Sequence, residues 1–204
     1  MQDWIFTIGH STHPIERFVA LLQQHGIEVL ADVRSTPFSR FNPQFNRASL
    51  SHSLASSGIR YEFMGEELGA RSSDPACFEN GRVSYARLAA TELFQRGLAR
   101  LREAAKTQRV AMMCAEREPL DCHRTILVAR ELERAGEKVM HLLADGALED
   151  NRHAMGRLIE RLKLPADDLF SAGDDQIDAA YDAQAAKVSW APAKSRKGSA
   201  AGRA

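Results

Sequence analysis

A chain of 204 residues with 44% hydrophobic and 26% charged side chains has the length and balance of one globular domain with or without a tail, and excludes a disordered or fibrous chain. Lys plus Arg and Asp plus Glu each number 27, so attraction of the whole molecule to nucleic acid is excluded and only a local basic patch could supply it. No apolar run approaches the roughly 20 residues of a membrane span, Met1 opens no basic-then-apolar leader, and an odd set of three cysteines speaks against a disulfide framework and for a reducing, cytoplasmic setting.

Five short apolar runs predict buried strands at residues 4–9, 29–33, 60–64, 110–114 and 139–143. They are apolar at nearly every position rather than alternating, as expected when helices cover both faces of a parallel sheet. Helical patterns separate them. After the first strand, Ile15, Phe18, Val19 and Leu22 follow helical spacing, with Pro14 in the first turn and Gly26 to close it. Ser84 predicts the cap of one long helix carrying Leu88, Phe94, Leu98 and Leu101. Asp121 predicts the cap of a helix ending at Gly136, and a last helix is expected over 149–162. The alternation predicts an α/β fold: a three-layer sandwich with a mostly parallel sheet of about five strands and helices on both faces. Gly69 and Gly81 are read as turn residues.

Residues 1–170 are read as a single α/β domain. Between 165 and 186 there are six Asp and no Lys or Arg, while 187–204 carries Lys187, Lys194, Arg196, Lys197 and Arg203 and no acid. Such composition has too little apolar surface to offset its ordering entropy, so 171–204 is expected to be a low-complexity, disordered tail with at most a short helix near 177–181.

In open parallel sheets ligands bind beyond the carboxyl ends of the strands. His10 and Ser11 follow the first strand, Asp32 and Arg34 end the second, Glu66 to Arg71 follow the third, and Cys114 and Glu116 end the fourth. The next helix begins at Cys122, His123 and Arg124. Free N–H groups at a helix start attract anions and stabilise a thiolate, a guanidinium forks onto phosphate or carboxylate, and an imidazole moves protons near neutral pH. Strand, cysteine, loop and helix with arginine is also the layout of cysteine phosphatases and sulfur transferases, but Leu120 stands where such a loop starting at Cys114 would need arginine.

Cys114, Glu116 and His123 are therefore the candidate catalytic groups, and His10, Ser11, Asp32, Arg34, Arg40, Arg71, Cys122 and Arg124 the candidate substrate contacts. The adjacency of Cys122 and His123, without a CxxC or HxxxH, speaks against a shared ion, so no metal is expected. Without GxGxxG or GxxxxGK[ST], no dinucleotide or P-loop ligand and no cofactor are expected. His141, inside a strand, reads as a buried and hydrogen-bonded histidine. Residues 34–47 interleave three Phe with Arg34, Arg40 and Arg47, a composition that can stack a base and hold its phosphate.

Taken together, Thr7-Ile8-Gly9-His10-Ser11, Asp32-Val33-Arg34 with Pro37 and Ser39-Arg40, Leu68-Gly69-Ala70-Arg71, and Met113-Cys114-Ala115-Glu116 with Cys122-His123-Arg124 resemble the domain of unknown function 488 family. The resemblance runs from about Phe6 to Gly146, and Ala70 stands where it leads one to expect a second glycine. It implies a compact bacterial α/β domain and no assigned reaction. The expectation drawn from the residues is an enzyme acting on an anionic, phosphorylated or nucleotide-like small molecule through a Cys/His/Arg site. The competing expectation is a non-catalytic nucleotide or nucleic-acid binding module using the loop 34–47; a membrane partner is not expected.

Overall fold

Residues 5–9, 29–33 and 110–114 are all buried, and no water-facing side remains on these strands. That is the burial their continuous apolarity implies, and it requires a cover on each face. The computed structural model describes residues 4–164 and 173–192. In chain order it runs β1 (Trp4–Gly9), α1 (Ile15–Gln24), β2 (Val29–Asp32), α2 (Arg47–Ala55), β3 (Arg60–Phe63), α3 (Gly65–Leu68), β4 (Phe78–Glu79), β5 (Arg82–Val83), α4 (Tyr85–Ala89), α5 (Glu92–Ala105), β6 (Val110–Cys114), α6 (Arg130–Arg134), β7 (Lys138–Leu142), β8 (Leu148–Asp150), α7 (Asn151–Leu162) and α8 (Gly173–Val188).

The main sheet has six strands in the order β3-β2-β6-β1-β7-β8, all pairs parallel except β7 with β8. Two apolar clusters mark the covering layers. One holds Phe18, Leu21 and Leu22 of α1 with Leu50 and Leu54 of α2, against Phe6, Leu30 and Met113 of the sheet. The other holds Phe94 and Leu98 of α5, Leu132 of α6, Leu158 of α7 and Tyr181 of α8, against Ile5, Ala31 and Cys114. The chain steps from β1 outward to β2 and β3 on the first face, then returns through α5 on the second face to insert β6 beside β1. The direction of winding therefore reverses between β1 and β6, where an open parallel sheet leaves a crevice at its carboxyl ends. Among the described residues no helix is long and apolar enough to cross a membrane.

Several local expectations are corrected. The stripe from Leu88 to Leu101 spans two helices, because Thr91 accepts from the N–H of Phe94 and starts α5 afresh. Glu118, not Asp121, holds the turn before the next helix, accepting from the N–H of Leu120. That helix starts as a π-helical stretch, Arg124–Ala129, which runs directly into α6. The last predicted helix starts at Asn151, capped by Asp150, because residues 148–150 form the antiparallel edge strand. A small hairpin joins β4 to β5 through Asn80 and Gly81, both at positive φ (50° and 77°), where glycine carries no steric penalty.

The larger correction lies in the expected tail. Residues 173–188 are a helix whose Ala180, Tyr181 and Gln184 are buried. Two of its acids face partners: Asp178 and Asp182 pair with Arg130, and Asp178 also with Arg134. Gln184 donates to the Leu120 carbonyl at 2.9 Å. The expected domain boundary near residue 170 and the basic residues from Lys194 onward lie outside the described residues.

Candidate functional site

Backbone pairing carries β1 and β6 past their last strand residues. The N–H of His10 donates to the Cys114 carbonyl at 2.9 Å and that of Ser11 to the Ala115 carbonyl at 3.0 Å. Ser11 then turns the chain away at φ 47°. Between these ends, the loop after β2 and the loop after α3 lies a cleft of about 690 Å³, lined among others by His10, Ser11, Arg34, Arg71, Cys114, Glu116 and His123. Three separate strand ends thus contribute to one hollow.

The deepest chemistry is the group around two thiols. Cys122 has extended backbone, φ −131° and ψ 142°, and its carbonyl accepts from Thr125 and Ile126 as the helix begins. Its Sγ accepts from the N–H of Arg124 at 3.4 Å, so a sulfur sits where a capping oxygen usually does. The imidazole of His123 lies between the sulfurs, with Nδ1 3.4 Å from Cys114 Sγ and 3.9 Å from Cys122 Sγ. His123 Nε2 is 2.9 Å from the Val33 carbonyl. A carbonyl only accepts, so Nε2 carries a proton and Nδ1 is the nitrogen turned to the thiols.

Burial pushes the Cys114 thiol up, and the neighbouring Cys122 and Glu116 push it further. Burial opposes ionisation of Cys122 as well, yet the hydrogen bond from Cys114 and the cations of Arg124 and His123 hold it well below the usual thiol range. His123 moves up against its own burial, held by the hydrogen bond and charge of Cys122. Glu116 Oε2 lies 2.9 Å from Cys122 Sγ. Burial first, and then the charge on Cys122, raises this carboxyl. The site therefore favours one sulfur anion, at Cys122, facing a cation.

Arg124 is 1% exposed. It donates to the carbonyls of Glu116 at 2.8 Å and Arg117 at 3.3 Å, clamping the loop after β6, and its Nε has no partner among the described residues. It lies behind the cleft and acts on the sulfurs through its charge. Arg34 lines the cleft, but its Nε and Nη2 grip both oxygens of the fully buried Asp32 at 2.9 and 2.6 Å. Tyr61 also donates to Asp32 at 2.8 Å. Asp32 thus neutralises Arg34 and is itself shielded from any ligand. His10 stacks on the buried Phe45 with ring centroids 4.3 Å apart, and burial lowers it to about 4, so it is a neutral wall.

Arg71 lines the cleft with its guanidinium over Trp190, 5.7 Å from the ring centre, and its N–H donates to Ser35 Oγ at 3.1 Å. Arg40 lies outside the lining and stacks over Phe41 instead. The sequence reading missed Asn42, Tyr85 and Trp190, which also line the cleft. Trp190 carried a signal: it is one of two tryptophans, set in a stretch otherwise poor in large apolar residues. Tyr85 was hidden behind the assumption of one long helix starting at Ser84.

The adjacency of Cys122 and His123 does not keep their ligand atoms apart in three dimensions. The turn from extended Cys122 into helical His123 sends both side chains the same way, and the ligand atoms of Cys114, Glu116, Cys122 and His123 all lie within 4.8 Å of one another.

The sequence profile of the family described as domain of unknown function DUF488 matches residues 14–130, more than half of the chain, and the chain belongs to that family. The matched stretch contains Asp32, Arg34, Arg71, Cys114, Glu116 and the residues 122–124, while His10 and Ser11 precede it. No curated protein and no solved structure matches the chain.

Proposed function

We propose, with membership of the DUF488 family as the premise, that the protein is an enzyme acting on an anionic small molecule, phosphorylated or nucleotide-like, in the cleft at the carboxyl ends of β1, β2 and β6. The observation that supports this reading is the meeting of a thiol, a carboxyl group and an imidazole, those of Cys114, Glu116 and His123, at one wall of a polar cleft that also holds an arginine stacked on tryptophan. Arg71 supplies the positive charge that receives the anion, since the charge of Arg34 is matched by Asp32. Glu116 is exposed as a residue while its carboxyl reaches Cys122, so it can carry a proton between the sulfur and a bound molecule. His123 and the buried cation of Arg124 stabilise the sulfur anion that makes the centre reactive.

The test is turnover by the reduced protein across a panel of phosphate monoesters and nucleotides. For a converted member, Glu116→Gln is expected to lower kcat by roughly 10²-fold, and Arg71→Ala to raise KM by about tenfold with a smaller effect on kcat. A panel in which nothing is converted, or in which Glu116→Gln matches the native chain, overturns the reading.

A second reading draws on a different observation. Phe38, which lines the cleft, and Phe41 are 65% and 83% exposed, whereas Phe45 of the same loop is buried. Exposed aromatics beside Arg40 suit a base stacked without chemistry. On this reading an oligonucleotide binds with affinity that falls steeply with salt, Phe41→Ala weakens it, and Glu116→Gln does not.

A further inference from the structure

Of the other places in the molecule, the depression between α6, α7 and α8 is lined by Arg130, Glu133 and Asp178, which already pair within the protein. The exposed aromatics at 38 and 41 belong to the second reading above. The cluster of Cys114, Glu116, Cys122 and His123 carries more. We infer that it is a binding site for zinc or a chemically similar divalent ion, with both thiolates and His123 Nδ1 as fixed ligands and Glu116 as the fourth, exchangeable one. The inference rests on the reading that this cluster is the reactive centre of the cleft, and it names what that centre holds.

Four observations converge. The first is spacing. Zinc–sulfur bonds of about 2.3 Å and zinc–nitrogen bonds of about 2.0 Å in a tetrahedron put sulfur and nitrogen roughly 3.5 Å apart. The two sulfur-to-Nδ1 distances, 3.4 and 3.9 Å, bracket that value, and the carboxylate oxygen stands 2.9 Å from one sulfur on the same side. An ion at the centre needs only small side-chain shifts.

The second observation is the state of the histidine. Metal-bound imidazoles donate their other N–H to a carbonyl or carboxylate, which fixes the tautomer and aims the lone pair. His123 Nε2 does this with the Val33 carbonyl at 2.9 Å, leaving Nδ1 turned to the sulfurs.

The third is charge. Two thiolates and a carboxylate around a divalent cation sum to −1, and Arg124, buried against the same loop, supplies +1 without a carboxylate partner among the described residues. In a poorly solvated interior this balance counts heavily. The fourth is ligand type and access. Two sulfurs, one nitrogen and one oxygen select zinc-like ions over magnesium or calcium. Cys114, Glu116 and His123 line the cleft while Cys122 lies behind them, so the exchangeable position opens toward a ligand.

Binding is a proton-balanced exchange in which Cys114, and any other ligand atom still protonated, gives its proton to solvent, two sulfur–metal bonds form, and nothing is oxidised or reduced. When Glu116 yields its place to water, its carboxylate stands ready to take the proton that the ion makes acidic.

The full chain, reduced and stripped with a chelator, is titrated with Co²⁺ and then with Zn²⁺. The expected result is one ion per chain, a sulfur-to-cobalt charge-transfer band with the intense visible bands of a tetrahedral site, displacement by zinc, and release of at least one proton per ion. Cys122→Ser and His123→Ala are each expected to weaken binding by at least about tenfold, and Cys77→Ser, at a buried cysteine elsewhere in the core, to leave it unchanged. If the ligand variants fail to fold by circular dichroism, the spectrum and the proton count of the native chain decide. Cobalt bound without the charge-transfer band, no ion bound, or a Cys114–Cys122 disulfide forming as readily with zinc as without it overturns the inference. Failure of metal binding while anions still bind the cleft removes this inference alone; loss of anion binding with the metal retained removes the enzyme reading instead.

Discussion

A Cβ placed on Gly9 would stand 1.9 Å from the carbonyl oxygen of Glu116. The end of β1 therefore lies against the loop that carries the thiol centre with no room for any side chain, and the same carbonyl receives Arg124 at 2.8 Å. Gly9→Ala must push that loop outward. We expect a loss of about 1–3 kcal/mol in a urea denaturation series, together with an increased alkylation rate at Cys114, which is 3% exposed in the native fold. An alanine variant with native stability and native thiol reactivity would show that the close approach is absent.

The buried pair of Asp32 and Arg34 is expected to matter for stability rather than for substrate charge. Both are nearly inaccessible, at 0% and 6% side-chain exposure. Asp32→Ala leaves the guanidinium uncompensated, and a loss of roughly 3–5 kcal/mol follows. Replacing both with apolar residues of similar volume should recover much of that loss. Chemical denaturation of the single and double variants checks this, and a double variant no better than the single would contradict it.

Stability should depend on pH through His141. Its Nδ1 is 2.8 Å from Thr7 Oγ1 and its Nε2 2.9 Å from Asn151 Oδ1, so the neutral ring is fully bonded. Burial, and then the charge of Arg124, lowers it to about 4 from the ordinary 6.5. Above pH 6.5 the ring is neutral in both folded and unfolded chains and its contribution is complete. As the pH falls from 6.5 toward 4 the unfolded chain gains the proton first, so stability drops by roughly 3 kcal/mol in all, then levels off once the folded ring is protonated too. Urea midpoints across this window should flatten by about one proton in His141→Gln; an unchanged slope would contradict the assignment.

The C-terminal helix should be part of the domain. Tyr181, in α8, accepts from Asn151 at 2.8 Å and so joins α8 to the His141 network. Trp190 packs edge-on to Phe78 beside the cleft. A chain stopped after Leu164 is expected to bind a hydrophobic dye and to unfold at lower urea, since Leu132, Met155 and Leu158 share their core with Tyr181. Unaltered unfolding would place α8 outside the cooperative unit.

Much of this was legible from residue order. The boundaries of β1 and β6 follow directly from runs apolar at nearly every position, and placing the site at strand ends needs only the parallel topology those runs imply. What was hidden depends on partners distant in the chain. The pairing of Asp178 and Asp182 is invisible until Arg130 and Arg134 stand opposite them, and the buried stripe of α8 mixes Ala180 and Gln184 with one large side chain, Tyr181. The convergence of two cysteines on one histidine requires the turn at Cys122, which spacing alone does not reveal. The pairing of Asp32 with Arg34 is one that two residues so close in the chain already allow, whereas the inward turn of Arg124 was out of reach.

The account stands on the cleft receiving an anionic ligand, and Trp190 in its wall reports on this directly. In a chain carrying Trp4→Phe, which removes the other tryptophan, fluorescence is followed while nucleotides and phosphate monoesters are added up to ~1 mM, the upper end of usual KM values. A saturable change that Arg71→Ala weakens by about tenfold is the predicted result. Fluorescence unmoved by every anion tried, or a change equally strong in Arg71→Ala, would contradict it.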